Sequence, residues 1–228
     1  RQTGTGIPID QDYRDNSVTY ARSRLSYAVS PNLAVFTQGT VRELSYDQNQ
    51  VLTGNVRSRD SSGYTVSGGV DFELTSLVRG DIAIGYFSED KEDDFFKDVD
   101  GLSVDGRMEW FPTRLTTVGF TAGRRVVDIG VFDSPSALQT SFGARIDHEL
   151  RRNIILSAAA NIVSYDYQEI DRTDDVNDLS LTAAYKMNKR VHFETFARHI
   201  NRDSGGAGVF GDPSYDVNLV GVGLKLYP

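Results

Sequence analysis

The feature that most constrains the fold of this chain is a pair of long alternating stretches between Leu138 and Tyr167. In the first, every second residue from Leu138 to His148 is mostly apolar, while the residues between them are small, polar or charged. This two-residue period predicts a β-strand of about twelve residues. Arg151-Arg152-Asn153 interrupts the pattern, and a second long strand with the same period begins at Ile154.

The length of these two arms indicates a membrane protein. Strands of soluble domains usually have about five or six residues, whereas a transmembrane strand needs about nine to eleven tilted residues with its apolar side in lipid. The alternative is a soluble up-and-down barrel with its apolar face inside. About eleven such strands would make that barrel too wide for Val, Ala and Gly to fill, and would leave the charged residues outside. The membrane interpretation is therefore favoured.

Composition excludes several other classes of protein. The chain has 228 residues, no cysteine and a net charge of −8, so it has neither a disulfide framework nor the basic surface of a nucleic-acid-binding protein. No apolar run approaches the roughly eighteen residues of a membrane helix. The mean hydropathy of −0.36 agrees with strands that turn one face to water. The polar start, Arg1 to Gly6, shows no signal peptide, so we expect a processed or truncated sequence.

The rest of the chain repeats this strand pattern with connections that alternate in length. Short turns are predicted near residues 31, 78, 113, 152 and 188, and longer polar loops near residues 55, 95, 133, 173 and 209. Short turns on one side and long loops on the other are typical of outer-membrane barrels, with the loops extracellular. We predict an all-β, antiparallel, up-and-down transmembrane barrel of about 12 strands, about 11 of them in this chain. The barrel is expected to span 17–228, after an extracellular loop or N-terminal remnant at 1–16.

The alternation also assigns side chains to the two faces of the barrel. The polar phase predicts the following lumen-lining residues: Arg22, Arg24, Arg42, Asp71, Glu73, Asp105, Arg107, Glu109, Arg145, Asp147, Glu149, His192, Glu194, Arg198 and Lys225. The apolar phase predicts these lipid-facing residues: Val70, Phe72, Leu74, Ile84, Phe142, Leu156 and Leu181. Rings near the strand ends predict an aromatic girdle of Tyr27, Tyr64, Trp110, Tyr165, Tyr185, Tyr215 and Tyr227. Ordinary strand propensity explains the abundance of tyrosine but not its placement at both ends.

Two stretches carry a resemblance to a known family. The hairpin from Ser62 to Gly80, continuing into Ala83-Ile84-Gly85-Tyr86, and the closing strand from Val220 to Leu226 resemble the putative beta-barrel porin family of Gram-negative outer membranes. The resemblance implies an outer-membrane barrel, in some members associated with the secretion of surface polysaccharide. It supplies no active-site residues. Outer-membrane barrels usually end on an aromatic residue, whereas here Pro228 follows Tyr227.

Catalytic and metal-binding patterns are weak. None of the three histidines, His148, His192 and His199, has a serine at the spacing of an outer-wall phospholipase, and a histidine at the rim is more often solvated than catalytic. The acidic run Glu89 to Asp94 lacks the spacing of a calcium loop. The glycines near residue 206 do not lie between a strand and a helix, so they predict no phosphate loop. We expect no enzyme activity, no catalytic residues, no metal and no cofactor.

Two functions remain compatible with the charged lumen. A wide, water-filled lumen would make the protein a passive pore or a secretion-associated conduit, with surface polysaccharide as one candidate cargo. A narrow lumen, plugged by charge pairs that cross it, would make it a structural barrel that anchors a surface assembly or partner through its loops. The expected partners are outer-membrane lipid and lipopolysaccharide, with periplasmic or surface proteins, and no nucleic acid.

The number of strands raises a question of closure. Bacterial single-chain barrels have an even number of strands, and an unpaired edge in lipid leaves backbone groups unsatisfied. With about eleven strands in the chain, we expect at least one more strand before Arg1 or an edge supplied by another chain. The competing interpretation is a short strand hidden within 1–16 or 48–63.

Overall fold

The structure is a computed structural model that describes residues 15–52, 55–131, 134–206 and 213–227. All regular secondary structure in these residues is β-strand. No helix in these ranges is long and apolar enough to cross a membrane. The strands are β1 (Asn16–Ser30), β2 (Leu33–Tyr46), β3 (Gln50–Leu52), β4 (Asn55–Arg57), β5 (Ser61–Thr75), β6 (Val78–Lys91), β7 (Val99–Thr113), β8 (Thr116–Val131), β9 (Ser134–Arg151), β10 (Ile154–Tyr167), β11 (Thr173–Lys186), β12 (Val191–Gly205) and β13 (Tyr215–Leu226).

Eleven of these strands form one antiparallel meander. Their order is β1-β2-β5-β6-β7-β8-β9-β10-β11-β12-β13, and each strand is antiparallel to its neighbours. The other two, β3 and β4, pair as a separate small hairpin. The predicted all-β, antiparallel, up-and-down arrangement with about eleven long strands is therefore confirmed. The expected twelfth strand stays a prediction, and the expectation for residues 1–14 lies outside the described residues.

The strand register gives the sheet two chemically different faces. Residues paired across neighbouring strands share a face, and successive residues of one strand alternate between faces. Arg107 on β7 pairs with Asp81 on β6, which pairs with Asp71 on β5. We call the face that carries these charges the ladder face and the opposite one the outer face. Along the outer face, Val70 pairs with Ile82 in the same way.

Burial distinguishes the two faces further. On the ladder face, Phe36, Leu44 and Phe87 are only 6%, 3% and 5% exposed. On the outer face, Leu181 and Val222 are 63% and 87% exposed, although both are apolar. A sheet that buries rings among its charges and exposes its aliphatic side chains is curved with the ladder face inside. The outer face is therefore a large apolar surface that nothing in the described chain covers.

Several predicted loops are strand in the structure. The loop expected around residues 131–137 is largely strand, because β8 extends to Val131 and β9 begins at Ser134. The polar loop predicted near residue 173 is also strand from Thr173 onward, where β11 begins. Predicted boundaries followed the end of the apolar alternation, whereas backbone pairing continues through polar residues beyond it. The hidden short strands considered for 48–63 exist as β3 and β4, but they do not join the large sheet.

One close contact on the ladder face depends on a glycine. Gly69 on β5 pairs with Phe36 on β2, and a Cβ atom at Gly69 would lie 2.4 Å from the Phe36 ring. The ring therefore lies directly over the backbone of β5. Any side chain at this position would push Phe36 out of its buried place.

We expect Gly69→Val to lower the free energy of unfolding by about 1–3 kcal/mol, because overpacking displaces a buried ring. Thermal unfolding of the refolded protein in detergent micelles would measure the change. Gly39→Val on β2 is the matched control, since a Cβ atom there has no neighbour within 4 Å. Equal stability of the two variants would contradict the contact.

Candidate functional site

Ion pairs of the ladder face lie along the wall of the sheet. Arg79 on β6 contacts Glu109 on the neighbouring β7 at 2.7 Å, and Arg145 contacts Asp147 of its own strand at 2.7 Å. Two further pairs join adjacent strands near the C-terminus: Asp178 with Arg198, and Glu194 with Lys225. Several of these groups remain accessible, and the side chain of Arg145 is 61% exposed. Within each pair the positive and negative charges therefore neutralise each other. The pairs lie along the wall and leave the space in front of it open.

Two ladder pairs reach across one intervening strand. Arg24 on β1 passes over β2 and binds both carboxylate oxygens of Asp71 on β5 at 2.6 Å. On the way its guanidinium lies 3.5 Å from the centroid of the Phe36 ring, a cation–π contact. Arg42 on β2 reaches Glu89 on β6 at 3.1 Å, and Gly63 lies between them in the register. Because Gly63 has no side chain, the Arg42 side chain can extend over it to Glu89.

A cavity of about 760 Å³ lies on the ladder face of β1, β2 and β5 to β8. Its wall combines guanidinium groups such as Arg22 with hydroxyl, amide and carboxylate groups such as Thr65, Gln38 and Asp105. Residues 125–128 of β8 also line it. This mixed lining contains donors and acceptors of both signs, so it is suited to water and polar solutes rather than to one kind of ion.

The long-loop end of the sheet is packed around a first tyrosine–aspartate–arginine cluster. The hydroxyl of Tyr46, at the end of β2, donates to the carboxylate of Asp128 on β8. Arg59, only 1% exposed, contacts the same carboxylate at 3.2 Å and lies 4.5 Å from the Tyr46 ring centroid. Three strands separate β2 from β8 in the sheet, so this contact bridges its concave side.

A second cluster repeats this arrangement on the other half of the sheet. The hydroxyl of Tyr167 donates to Asp174 at 2.6 Å. Arg172 binds both oxygens of Asp174 at 2.9 and 2.8 Å and lies 4.7 Å from the Tyr167 ring centroid. Arg202 on β12 also contacts Asp174, whose side chain is fully buried. The buried carboxylate of Asp174 therefore accepts hydrogen bonds from two arginines and one tyrosine, which compensates its charge.

The connection between β6 and β7 is held to this end of the sheet by Arg57. Its guanidinium contacts Asp93 at 3.0 Å and lies 4.6 Å from the Phe95 ring centroid. The backbone N–H of Phe95 donates to the same carboxylate, and this bond lowers the pKa of Asp93, with help from Arg57. Two carboxylates of the acidic run at 89–94, Glu89 and Asp93, therefore pair with arginines. No group of three metal-ligating side chains occurs in the part of the chain that the structure describes.

Comparison with known proteins identifies the family. The model of the family described as Putative beta-barrel porin 2 matches residues 1–227. This chain belongs to that family. Its membership accounts for the long meander, in which the apolar residues lie on the outer face and the charges on the ladder face.

Two solved structures show a weak likeness to this chain. Among solved structures, a NanC porin is 10% identical with a TM-score of 0.41, covering 92% of this chain and 96% of that one. LpxR from Salmonella typhimurium is 10% identical with a TM-score of 0.36, covering 91% and 88%. Both scores are low, and neither likeness carries an argument about function. No curated protein matches the chain.

The structure places the predicted residues of this chain on consistent faces. By the register, every residue predicted to line the lumen lies on the ladder face, and every residue predicted to face lipid lies on the outer face. In the described residues no ion pair joins the charges of β7 to those of β9. Arg145 instead binds Asp147 and lies 3.4 Å from Ser157 on β10.

The predicted aromatic girdle divides between the two faces. Tyr27, Tyr64, Trp110 and Tyr185 lie on the outer face, where each is exposed. Three others lie on the ladder face: Tyr165, which accepts a hydrogen bond from Gln139; Tyr215, which pairs with Arg202; and Tyr227, whose ring is 4.8 Å from His192. The phase of these three residues along their strands turns their rings inward, to the ladder face. These three do not belong to an outer girdle.

The two tyrosine–aspartate–arginine clusters were not predicted from the sequence. Arg172 and Asp174 are two residues apart, which places both on one face of an extended chain. This signal was visible, but it lay in a segment predicted to be a loop. Nothing local connects Tyr46 with Asp128, because 82 residues separate them in the chain.

We expect Asp174→Asn to lower the free energy of unfolding by about 3–5 kcal/mol, because it leaves two arginines without their shared carboxylate in a buried place. Asp178→Asn is the matched control on the same strand. Its partner Arg198 is 45% exposed, so its loss should cost about 0–1 kcal/mol. Denaturant titration of tryptophan fluorescence in detergent would measure both. Similar losses for the two variants would contradict a structural role for the Asp174 cluster.

Proposed function

We propose that this porin is a passive, water-filled pore of the bacterial outer membrane. The observation that carries the proposal is the geometry of the ladder pairs, which join side chains of one strand or of strands at most two apart. Charge pairs that plug a lumen would have to cross it. The ladder pairs of the described residues follow the wall instead, and the partial exposure of their side chains agrees with contact to water.

The exposed apolar outer face supports the membrane location. Val70, Leu156 and Leu181 lie on it and are proposed to contact lipid, with Tyr27, Tyr64, Trp110 and Tyr185 as interfacial rings. Lipopolysaccharide is the proposed neighbour on the side of the long connections. In a soluble protein, a surface of this size would expose a costly apolar area to water.

The alternative function is a structural barrel that anchors a surface assembly. One observation favours it: the contact of Asp128 with Tyr46 and Arg59 bridges the concave side at the long-loop end. Such a bridge narrows that mouth and holds the loops in a fixed arrangement that a surface or periplasmic protein could bind. The finer role of a conduit for surface polysaccharide rests on the family resemblance, and the hydroxyl and amide groups of the cavity are compatible with it.

Val70→Arg should reduce the free energy of folding into a bilayer by about 2–4 kcal/mol, because it places a charge in the middle of the proposed lipid-facing surface. Gly119→Arg on the ladder face is the control, since a Cβ atom there has no neighbour within 4 Å. Folding into lipid vesicles over a denaturant series gives both values. In addition, a spin label at Val70 should have the spectrum of a label surrounded by lipid. A spectrum of a label exposed to water would contradict the membrane location.

Single-channel recording in a planar bilayer separates the pore from the anchor. We expect steady open-pore current from the purified full-length protein at both polarities. Protein that inserts, as shown by protease protection, but passes no current would support the anchor instead.

The ladder charges should also set the ion preference of the pore. The double variant Arg107→Gln and Arg145→Gln removes two positive charges from the ladder face, so the reversal potential in a salt gradient should shift toward cation selectivity. Lys189→Gln with Arg190→Gln is the control, because it makes the same change in net charge in the short turn after β11. A conducting double variant with an unchanged reversal potential would show that these arginines do not line the path.

A further inference from the structure

We propose that a basic surface at the short-turn end of the sheet binds the headgroups of anionic phospholipids in the periplasmic leaflet. The proposal rests on the membrane location proposed above, and it concerns the rim of the sheet rather than the lumen. The surface consists of three consecutive short turns, which join β7 to β8, β9 to β10 and β11 to β12. We call them the basic turns, after their cations Arg114, Arg151, Arg152, Lys186, Lys189 and Arg190.

The charge of the basic turns is opposite to that of the whole chain. The net charge is −8, and the long connection between β6 and β7 carries Glu92, Asp93, Asp94 and Asp98. The short turns at residues 31–32 and 76–77, on the other half of the sheet, carry no charged side chain. The positive charge is therefore concentrated at one end and on one side of the sheet.

The cations of the basic turns are available to a ligand. All of them are exposed. Among the ion pairs of the described residues, none includes a cation of the basic turns. Nearby charges on the ladder face differ, because Arg198 pairs with Asp178 and Lys225 pairs with Glu194. The basic turns thus present positive charge that the described part of the chain does not neutralise.

Backbone hydrogen bonds join the basic turns into one surface. The N–H of Glu149 on β9 donates to the carbonyl of Leu115 in the β7–β8 turn at 2.8 Å. In the same way, the N–H of Lys186 on β11 donates to the carbonyl of Asn153 in the β9–β10 turn at 2.8 Å. Each turn is therefore fixed against the next hairpin. Successive turns are two strands apart, about 10 Å along the rim, so their charges act on one ligand layer.

Apolar side chains within the turns favour lipid as that ligand. Leu115 lies beside Arg114, Met187 lies beside Lys186, and both apolar side chains are 51% exposed. Leu150, directly before the β9–β10 turn, is 54% exposed. Cations next to exposed apolar side chains are typical of a membrane interface, where the apolar groups enter the acyl layer and the charges reach phosphate. Arginine also binds phosphate oxygens in a bidentate manner.

The only tryptophan of the chain provides a local reporter for the test. Trp110 lies on the outer face of β7, four residues before Arg114. The full-length protein is refolded into phosphatidylcholine vesicles that contain a fixed fraction of brominated lipid, which quenches tryptophan fluorescence on contact. Brominated phosphatidylglycerol and brominated phosphatidylcholine are compared at equal mole fraction. The ratio of their binding constants measures the local preference for a negatively charged headgroup.

We expect a preference of about fivefold for phosphatidylglycerol, the gain of one Lys or Arg near an anionic membrane surface. The ratio should fall toward one in 1 M salt, where the Debye length is about 3 Å. The triple variant Arg114→Gln, Arg151→Gln and Arg152→Gln should lower the ratio to about one at low salt. Heat-modifiable mobility on a gel shows which protein has folded, and only folded protein is scored. A ratio near one for the unaltered protein would overturn the proposal.

The matched control makes the same change in net charge away from the basic turns. It combines Arg22→Gln on β1, Lys97→Gln in the connection between β6 and β7, and Arg125→Gln on β8. This variant should keep the preference of the unaltered protein. A loss equal to that of the triple variant would overturn the proposal, because it would assign the preference to the net charge of the chain.

An acidic segment of a periplasmic protein is the competing ligand, and poly-glutamate is its probe. Calorimetric titration of poly-glutamate into the protein in zwitterionic micelles measures this binding. A lipid ratio near one, together with poly-glutamate binding that the triple variant loses, would overturn the lipid assignment in favour of a protein partner. Neither result changes the conductance or the lipid contact of Val70, so failure of this proposal is distinguishable from failure of the pore.

Discussion

Backbone pairing between neighbouring strands is the constraint on which every other feature of this protein depends. Because side chains alternate along a strand, a register fixed at one pair fixes the face of every residue on both strands. The pairing of Asp81 with Arg107 thus also determines that Ile82 points away from them. A slip of one residue would move charges to the apolar face and apolar groups among the charges. The charged wall and the apolar surface are therefore two results of the same register.

This dependence explains how much of the fold could be predicted from the sequence. The alternation of Phe142 with Arg145 and its neighbours is a local pattern, so it predicted the long strands and their antiparallel arrangement correctly. Strand ends were less predictable, because hydrogen bonding between backbones continues through residues such as Thr173 that show no apolar alternation. The phase of aromatic residues beyond the regular stretch was also missed, and Tyr165 turned inward for that reason.

The candidate site shows the same division between local and distant signals. Wall charges could be assigned because each follows from its own strand. Their partners could not, since Arg24 meets Asp71 across an intervening strand and Tyr46 meets Asp128 across the concave side. In both tyrosine clusters an arginine stacks on the ring and binds the carboxylate that the hydroxyl also contacts. Three side chains thereby hold one another in a buried setting that none of them would tolerate alone.

The local pairing of the wall charges has a consequence for how such a sheet changes over evolutionary time. The ladder pairs join side chains of one strand or of strands at most two apart, and Arg145 and Asp147 pair within β9. A hairpin can then be duplicated, lost or exchanged without leaving an uncompensated charge on the far wall. The meander is modular in its electrostatics as well as in its backbone, so barrel width and lumen chemistry can vary independently. The bridged end, with Asp128 and Arg59, is the part where that freedom is lost.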